Sequence, residues 1–323
     1  MKYRTFGRLG WQFSEIGYGM WGMAGWSGSD DEESLRSLNL AVELGCNFFD
    51  TAFAYGEGHS ERLLGQLVRR HPQQKLYTTT KIPPKNRKWP SQREYQLQDV
   101  FPPDYIRQMT EKSLEILGLN CLDLQQFHVW EDSWAHDERW QRVVDDLKRE
   151  GLIRAIGISI NRWEPWNALE TIRTGLIDSI QVVFNIFDQA PEDELFTLCK
   201  ELNIGVIARV PFDEGSLTGA LAKDSRWPTG DFRNIYFTPE NLIPSVQRAD
   251  RLKSVLPPGM EMPEMALRWI LANETVSTII PEMRKEAHVR ANLAASDGQM
   301  LPDALMRELK KHRWDRDPAK GSP

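Results

Sequence analysis

The chain has 323 residues, with 40 Lys and Arg against 46 Asp and Glu, a formal net charge of −6. That mild acidity argues against a nucleic-acid partner, whose affinity needs an excess of cations. Hydrophobic residues at 41% and charged residues at 27% fit neither a disordered chain nor a membrane protein, and no apolar run approaches the roughly 18 residues of a spanning helix.

The chain starts with MKYRTFGRLGWQF, which lacks the apolar core of a signal peptide, so a cytoplasmic location is expected. Residues 2–14 read as a small hairpin turning at Gly7–Gly10, placed to plug the bottom of a barrel. Strands are then expected at Glu15–Gly19, Asn47–Thr51, Leu76–Lys81, Leu122–Phe127, Arg154–Ser159, Ser179–Phe184, Val206–Val210 and Ser277–Ile280. Helical patterns fall between and after them, at Asp31–Leu44, Ser60–Arg70, Asp104–Leu117, Glu138–Arg149, Pro165–Thr174, Asp193–Leu202, Met262–Ala272 and Lys285–Ala295. Apolar residues recur there at three- and four-residue spacing, as in Leu35, Leu38 and Val42. Gly45, Gly118 and Gly151 stand just past helix ends, where a left-handed residue is needed.

Repeated strand–helix units require a parallel sheet. Eight of them close into a single α/β domain, a (β/α)₈ TIM barrel spanning 1–323. The alternative is an open doubly wound sheet. Gly17, Gly19 and Gly22 follow the first strand, but no helix opens directly after them as a dinucleotide fingerprint requires. Two connections are unusually long, Pro83–Pro103 after the third strand and Pro211–Pro239 after the seventh. In a barrel such loops build the active, C-terminal face. Residues 310–323 read as a mobile polar tail.

Ionisable residues stand at the ends of three consecutive strands: Asp50 and Tyr55 in FFDTAFAYG, Lys81 in TTTKIPP and His128 in LQQFHVW. Each alone has an ordinary explanation: Asp50 as a helix cap, Tyr55 as a packing residue, Lys81 as a solvated strand end, His128 as a satisfied core histidine. Together they would meet at the barrel mouth. Tyrosine is a poor acid at neutral pH, and a nearby ammonium favours its phenolate. Asp50 would hold the ammonium, and His128 would hydrogen-bond a substrate oxygen. Such a cluster protonates an oxygen as hydride reaches the adjacent carbon.

The run Asp50-Thr51-Ala52-Phe53-Ala54-Tyr55-Gly56, then Ser60-Glu61-Arg62-Leu63-Leu64-Gly65, with Lys81 and His128 in order, resembles the aldo-keto reductases over roughly residues 3–298. The resemblance implies a barrel fold and NADPH-dependent carbonyl reduction. It implies Tyr55 as general acid, Asp50 and Lys81 tuning it, and His128 orienting the carbonyl. It further implies Ser159, Asn161 and Gln181 around the nicotinamide carboxamide, the asparagine being displaced one residue by Ile160. Arg209 stands where many relatives carry a stacking aromatic residue. Pro211, Gly215, Ser216 and Leu217 resemble the loop over the pyrophosphate. Met283, Arg284, Lys285, His288 and Asn292 resemble the adenosine-phosphate segment, with Arg284 on the 2′-phosphate and NADP(H) as the cofactor. Glu282 departs from the usual small or basic residue there and would repel phosphate.

Tryptophan is abundant, at 12 residues, and Trp21, Trp26, Trp89, Trp130 and Trp134 fall outside obvious core patterns. Trp21, Phe53, Trp89 and Trp130 are expected to wall a pocket for a small apolar or aromatic carbonyl substrate. The three cysteines, Cys46, Cys121 and Cys199, are far apart and read as reduced thiols, and no spacing calls for a metal. Two other readings remain open. One is a nucleotide-binding regulator of the same fold, similar to potassium-channel β subunits. The other is a barrel enzyme using Lys81 as a Schiff-base nucleophile.

Overall fold

A computed structural model describes residues 1–25 and 28–317; Trp26 and the tail end at 318–323 lie outside the described residues. An antiparallel hairpin, β1 (Tyr3–Phe6) and β2 (Trp11–Ser14), precedes an eight-stranded parallel sheet. The sheet strands are β3 (Tyr18–Gly19), β4 (Phe48–Asp50), β5 (Tyr77–Ile82), β6 (Leu122–Phe127), β7 (Ile153–Ser159), β8 (Ser179–Val183), β9 (Gly205–Arg209) and β10 (Thr278–Ile279), neighbours in chain order. Parallel bridges Ile16–Ile279 and Gly19–Glu282 bring the first strand back to the last, so the sheet curls into a barrel.

All eight strands lie at the expected places. The first and last are shorter than the apolar runs that announced them. They meet each other through those isolated bridges, where Gly17 N–H donates to the Ile279 carbonyl, Ile279 N–H to the Glu15 carbonyl and Gly19 N–H to the Pro281 carbonyl.

The helices α1 (Asp31–Glu43), α2 (His59–Arg70), α3 (Leu97–Val100), α4 (Pro103–Leu117), α5 (Glu138–Arg149), α6 (Leu169–Arg173), α7 (Leu195–Glu201), α8 (Arg233–Tyr236), α9 (Pro239–Lys253), α10 (Met262–Leu271), α11 (Glu286–Ala294) and α12 (Asp303–Lys310) surround the sheet. Asp30 caps α1 by accepting the Glu33 N–H, and Gly118 ends α4 in the left-handed conformation. Three differences from the expected pattern matter for the site. Helix α6 is only a short piece of the stretch Pro165–Thr174, because 165–168 form turns. Helix α11 starts at Glu286, leaving Lys285 in the cap position rather than inside the helix. The long connection after β9 carries α8, and α9 follows it.

The hairpin does close the bottom of the barrel. Phe6 stacks on Phe13 and Phe13 on Phe48, with ring centroids 4.2 and 4.4 Å apart, against Leu124, Ala155 and Ile207. Burying each such ring contributes about 1.5–3 kcal/mol. Gly205 admits the plug, because a Cβ there would come within 2.5 Å of the Phe6 ring.

The tail departs from expectation over its described part. Arg313 pairs through both terminal nitrogens with Asp193, the Trp314 backbone N–H donates to the Phe187 carbonyl, and the Arg316 side chain is 4% exposed. Residues 313–316 are thus fastened across the outside of the barrel toward its C-terminal mouth.

Candidate active site

β4, β5 and β6 end side by side, and their register sets the chemistry. Asp50 pairs with Thr79, and Lys81 with Gln126, across adjacent strands. Lys81 is fully buried, and its Nζ donates to Asp50 Oδ1 at 2.5 Å, to the Thr51 carbonyl at 2.8 Å and to Tyr55 Oη at 3.4 Å. Asp50 Oδ2 accepts from Gln181 Nε2 at 2.8 Å and Gln126 Nε2 at 3.3 Å. Every oxygen of the carboxylate is therefore occupied, which is what a buried ion pair needs to be tolerated. Gln126, which the sequence reading passed over, also donates to Thr79 Oγ1 at 3.0 Å. Its inward position follows from strand alternation, the one signal that could have found it.

His128 stands edge-on to Tyr55, with ring centroids 5.7 Å apart, and edge-on to Trp89 at 5.8 Å. Its Nδ1 has no hydrogen-bond partner. Burial, then the Lys81 charge, holds its pKa well below the usual imidazole range, so the ring is neutral. Burial lowers the Lys81 pKa, and Asp50 opposes the fall.

Tyr55 differs from the expectation of an acidified phenol. Burial, then the Asp50 charge, pushes its pKa well above 10. The Lys81 ammonium is already neutralised by Asp50, so desolvation wins in the resting protein. Tyr55 is thus held protonated in the resting protein, with the Lys81 ammonium 3.4 Å from its oxygen.

The remaining strand ends complete the mouth. Ser159 Oγ lies 3.5 Å from Gln181 Oε1, so the end of β7 connects to Asp50 through Gln181 of β8. Arg209, at the end of β9, donates from Nη2 to the Ile160 carbonyl at 3.0 Å, while its Nε has no partner. Its pKa falls to about 10, through burial first and the Arg162 charge second. After β9 the chain passes Pro211 into a turn over Asp213–Thr218, where Asp213, Glu214 and Gly215 have φ of 47°, 54° and 110°. Nothing lies within 4 Å of a Cβ built on Gly215, so space and not only conformation is free at that residue. Ser216 and Leu217 are buried beneath it. Glu214 pairs with Arg162. Neither Arg162 nor Glu214 was expected, for they are brought together from loops after different strands.

On the other side, Glu282 reaches the mouth beside Gly22. Desolvation, then the Glu214 charge, pushes its carboxyl up, although its exposure to water offsets part of that push. Arg284 is half-buried, and Lys285 and His288 are exposed. Burial, then Lys285, lowers the His288 pKa. Met283 is buried in the core and offers only its backbone, whose carbonyl accepts from Tyr18 Oη at 2.7 Å. Asn292 is buried on α11.

Two expected site residues point elsewhere. Asn161 is used up between loops. Its Nδ2 donates to the Ser91 carbonyl, Glu131 Oε1 and Glu164 Oε2, and its Oδ1 accepts from the Ser91 N–H. The extra residue Ile160 has moved it off the strand end. Trp130 is fully buried in the helix layer among Phe127, Trp134 and Trp140, its Nε1 donating to Thr171 Oγ1 at 2.8 Å. It is a core residue and not a pocket wall. Trp89 is 37% exposed beside His128, Trp21 stands edge-on to Phe232 from the long connection, and Phe53 is half-buried.

A sequence model of the aldo/keto reductase family matches residues 15–313. The chain belongs to that family. It is 28% identical to the NADH-specific methylglyoxal reductase of Escherichia coli, over 96% of this chain and 98% of that protein. It is 27% identical to an aldo-keto reductase of Schizosaccharomyces pombe whose name specifies NADP(+), over 92% and 87%. Among solved structures it resembles the holo form of an aldo-keto reductase from Bacillus halodurans, with a TM-score of 0.77 at 25% identity, over 98% of this chain and 97% of that one. Like its relatives, this aldo/keto reductase is an oxidoreductase with a barrel scaffold. No described helix is long and apolar enough to cross a membrane.

Proposed function

We propose that this reductase converts small aldehydes or ketones to alcohols with a nicotinamide dinucleotide, Tyr55 serving as general acid. The observation that carries the reading is Lys81 Nζ, buried and bridging Asp50 and Tyr55 at adjacent strand ends. The mouth fits the dinucleotide chemically. Ser159 and Gln181 offer a hydroxyl and an amide side by side, the Arg209 guanidinium has an unpaired Nε, and the left-handed turn at Gly215 leaves backbone room.

When bound, the nicotinamide supplies the hydride. Tyr55 Oη donates a proton to the carbonyl oxygen, and the Lys81 ammonium stabilises the phenolate left behind. Asp50 fixes that ammonium, and Gln181 and Gln126 fix Asp50. Neutral His128 hydrogen-bonds the carbonyl oxygen. Trp21, Phe53 and Trp89 exclude water and receive an apolar substituent. Arg284 and Lys285 support a preference for NADP(H), through charge and through the unpaired N–H groups at the start of α11. Glu282 opposes it.

The test is Tyr55→Phe. Turnover with a carbonyl panel should fall about 10³-fold or more while cofactor binding, followed by tryptophan fluorescence, stays intact. Unchanged turnover would remove Tyr55 from the chemistry. Cofactor binding without multiple turnovers in the wild type would favour a nucleotide-binding regulator instead.

A further inference from the structure

The described end of the tail reaches the turn that follows β9, and it does so with one buried cation. Arg316 Nη1 donates to Asp213 Oδ1 at 2.6 Å and to Tyr236 Oη at 2.8 Å, and stands 3.7 Å from Asp188 Oδ2. Its guanidinium lies over two indoles, 4.2 Å from the Trp314 ring centre and 5.1 Å from that of Trp163. Asp213 is itself wholly buried and also accepts from Ser216 Oγ at 2.5 Å. One side chain thus ties the loop after β8, the turn after β9, and α8 to the tail.

The turn needs such a tie. Asp213 and Glu214 are non-glycine residues at positive φ, and Val210 just before them is another, at 55°. Conformations of this kind persist only where surrounding contacts impose them. The hydrogen bonds within the turn are all local: Asp213 N–H to the Val210 carbonyl, Gly215 and Leu217 N–H to the Phe212 carbonyl, Gly219 N–H to the Ser216 carbonyl, Ser216 Oγ to Asp213 and Thr218 Oγ1 to the Gly215 carbonyl. The fixed end is Asp213, and the cation that holds it is Arg316, with the Tyr236 hydroxyl donating to the same carboxylate oxygen at 3.3 Å. Without that cation, Asp188 and Asp213 lose their main compensating charge and are left as buried carboxylates that repel each other. Arg162 faces the same cluster but is bonded to Glu214.

We propose that Arg316 is a positioning residue for the dinucleotide. From the C-terminal tail it holds the Asp213–Thr218 turn in the conformation that retains the cofactor, without touching the reacting atoms. The proposal rests on the reading above that this turn borders the cofactor. It assigns the tail to retention of the cofactor rather than to the chemical step.

The experiment compares wild type with Arg316→Met, which keeps length and stacking but removes the charge, and Arg316→Lys, which keeps the charge but loses the planar fork. Hydrogen exchange on the ligand-free proteins reads the turn directly. Exchange at 213–219 and 233–237 should rise in Arg316→Met while the barrel strands are unchanged. NADPH and NADH are then titrated by fluorescence, and their release is timed by stopped flow. Kd and release rate should rise about tenfold or more in Arg316→Met and less in Arg316→Lys, with kcat at saturating cofactor within about threefold of wild type. Millimolar guanidinium should partly restore tight binding to Arg316→Ala.

A folded Arg316→Met protein with unchanged exchange and unchanged release overturns the proposal, and so does a loss of kcat with binding intact. If Arg316→Met does not fold, Arg316→Lys and Arg316→Ala decide it, and wild-type exchange and release in both without added guanidinium overturn it. If the wild type binds neither dinucleotide, the functional reading itself fails, and the proposal falls with it.

Discussion

The floor of the mouth and its rim are held together in different ways. On the floor, Asp50, Lys81 and Gln126 project from the neighbouring strands β4, β5 and β6, whose register brings them together, and Gln181 reaches Asp50 across the barrel from β8. On the rim, Arg162–Glu214 and Asp188–Arg316–Asp213 join segments that have no sheet ladder between them. Geometry on the floor is set by backbone hydrogen bonds, so charge there is free to serve chemistry. On the rim, charge is what sets the geometry. Substitutions on the floor should therefore change rates at constant binding, and substitutions on the rim should change binding at constant rates.

The largest expected break in that contrast is Lys81→Met. It removes the proton-tuning ammonium and strands Asp50, so kcat should fall at least 10²-fold and stability by about 3–5 kcal/mol, measured by turnover and urea unfolding. Asp50→Asn combined with Lys81→Met should recover much of the stability and none of the activity. Recovered activity would show that the pair is structural. On the rim, Glu282→Gln should tighten NADPH binding by up to about tenfold, more than it tightens NADH, with kcat little changed. Equal gains for both cofactors would place Glu282 away from the extra phosphate.

A smaller effect separates the two carboxylates that share Arg316. Asp213 has its pKa held below the ordinary value, chiefly by the Arg316 charge and hydrogen bond acting against burial, so it stabilises the fold above about pH 4 and less so as pH falls. Asp188 is pushed up to about 6 by burial, so its charge costs stability at pH 8, and the cost is relieved as pH falls through about 6. Asp213→Asn should lower Tm at pH 8 by several degrees, and Asp188→Asn by less than about 2 °C. The smallest effect is optical. Trp21→Phe should reduce the fluorescence quench on cofactor binding, and Trp130→Phe should leave it unchanged, since Trp130 faces the helix layer.

This division also explains what was legible in the sequence. The strands, and with them Asp50, Lys81 and Gln181, follow from apolar runs whose ends are local events. Tyr55 and His128 follow because they lie a few residues past those ends. Trp130 lies only two residues beyond His128, yet its direction is decided by an aromatic cluster with Trp134 and Trp140 that no spacing announces. Asn161 was misplaced for a similar reason: one inserted residue handed its amide to Ser91, Glu131 and Glu164. Arg316 was the least legible of all. A polar tail reads as mobile until a buried Asp213, some hundred positions away in sequence, gives its guanidinium a reason to stay.

The aromatic hairpin stacked under the strands turns the barrel into a tube with one blind end. Everything that reaches Tyr55 must come and go through a single doorway, which the turn after β9 and the tryptophans share. Two molecules using one doorway queue. The one seated deeper enters first and leaves last, so initial-velocity and product-inhibition patterns should be those of an ordered sequence, with the dinucleotide at both ends. How long the dinucleotide stays is then governed by how firmly the rim is fastened.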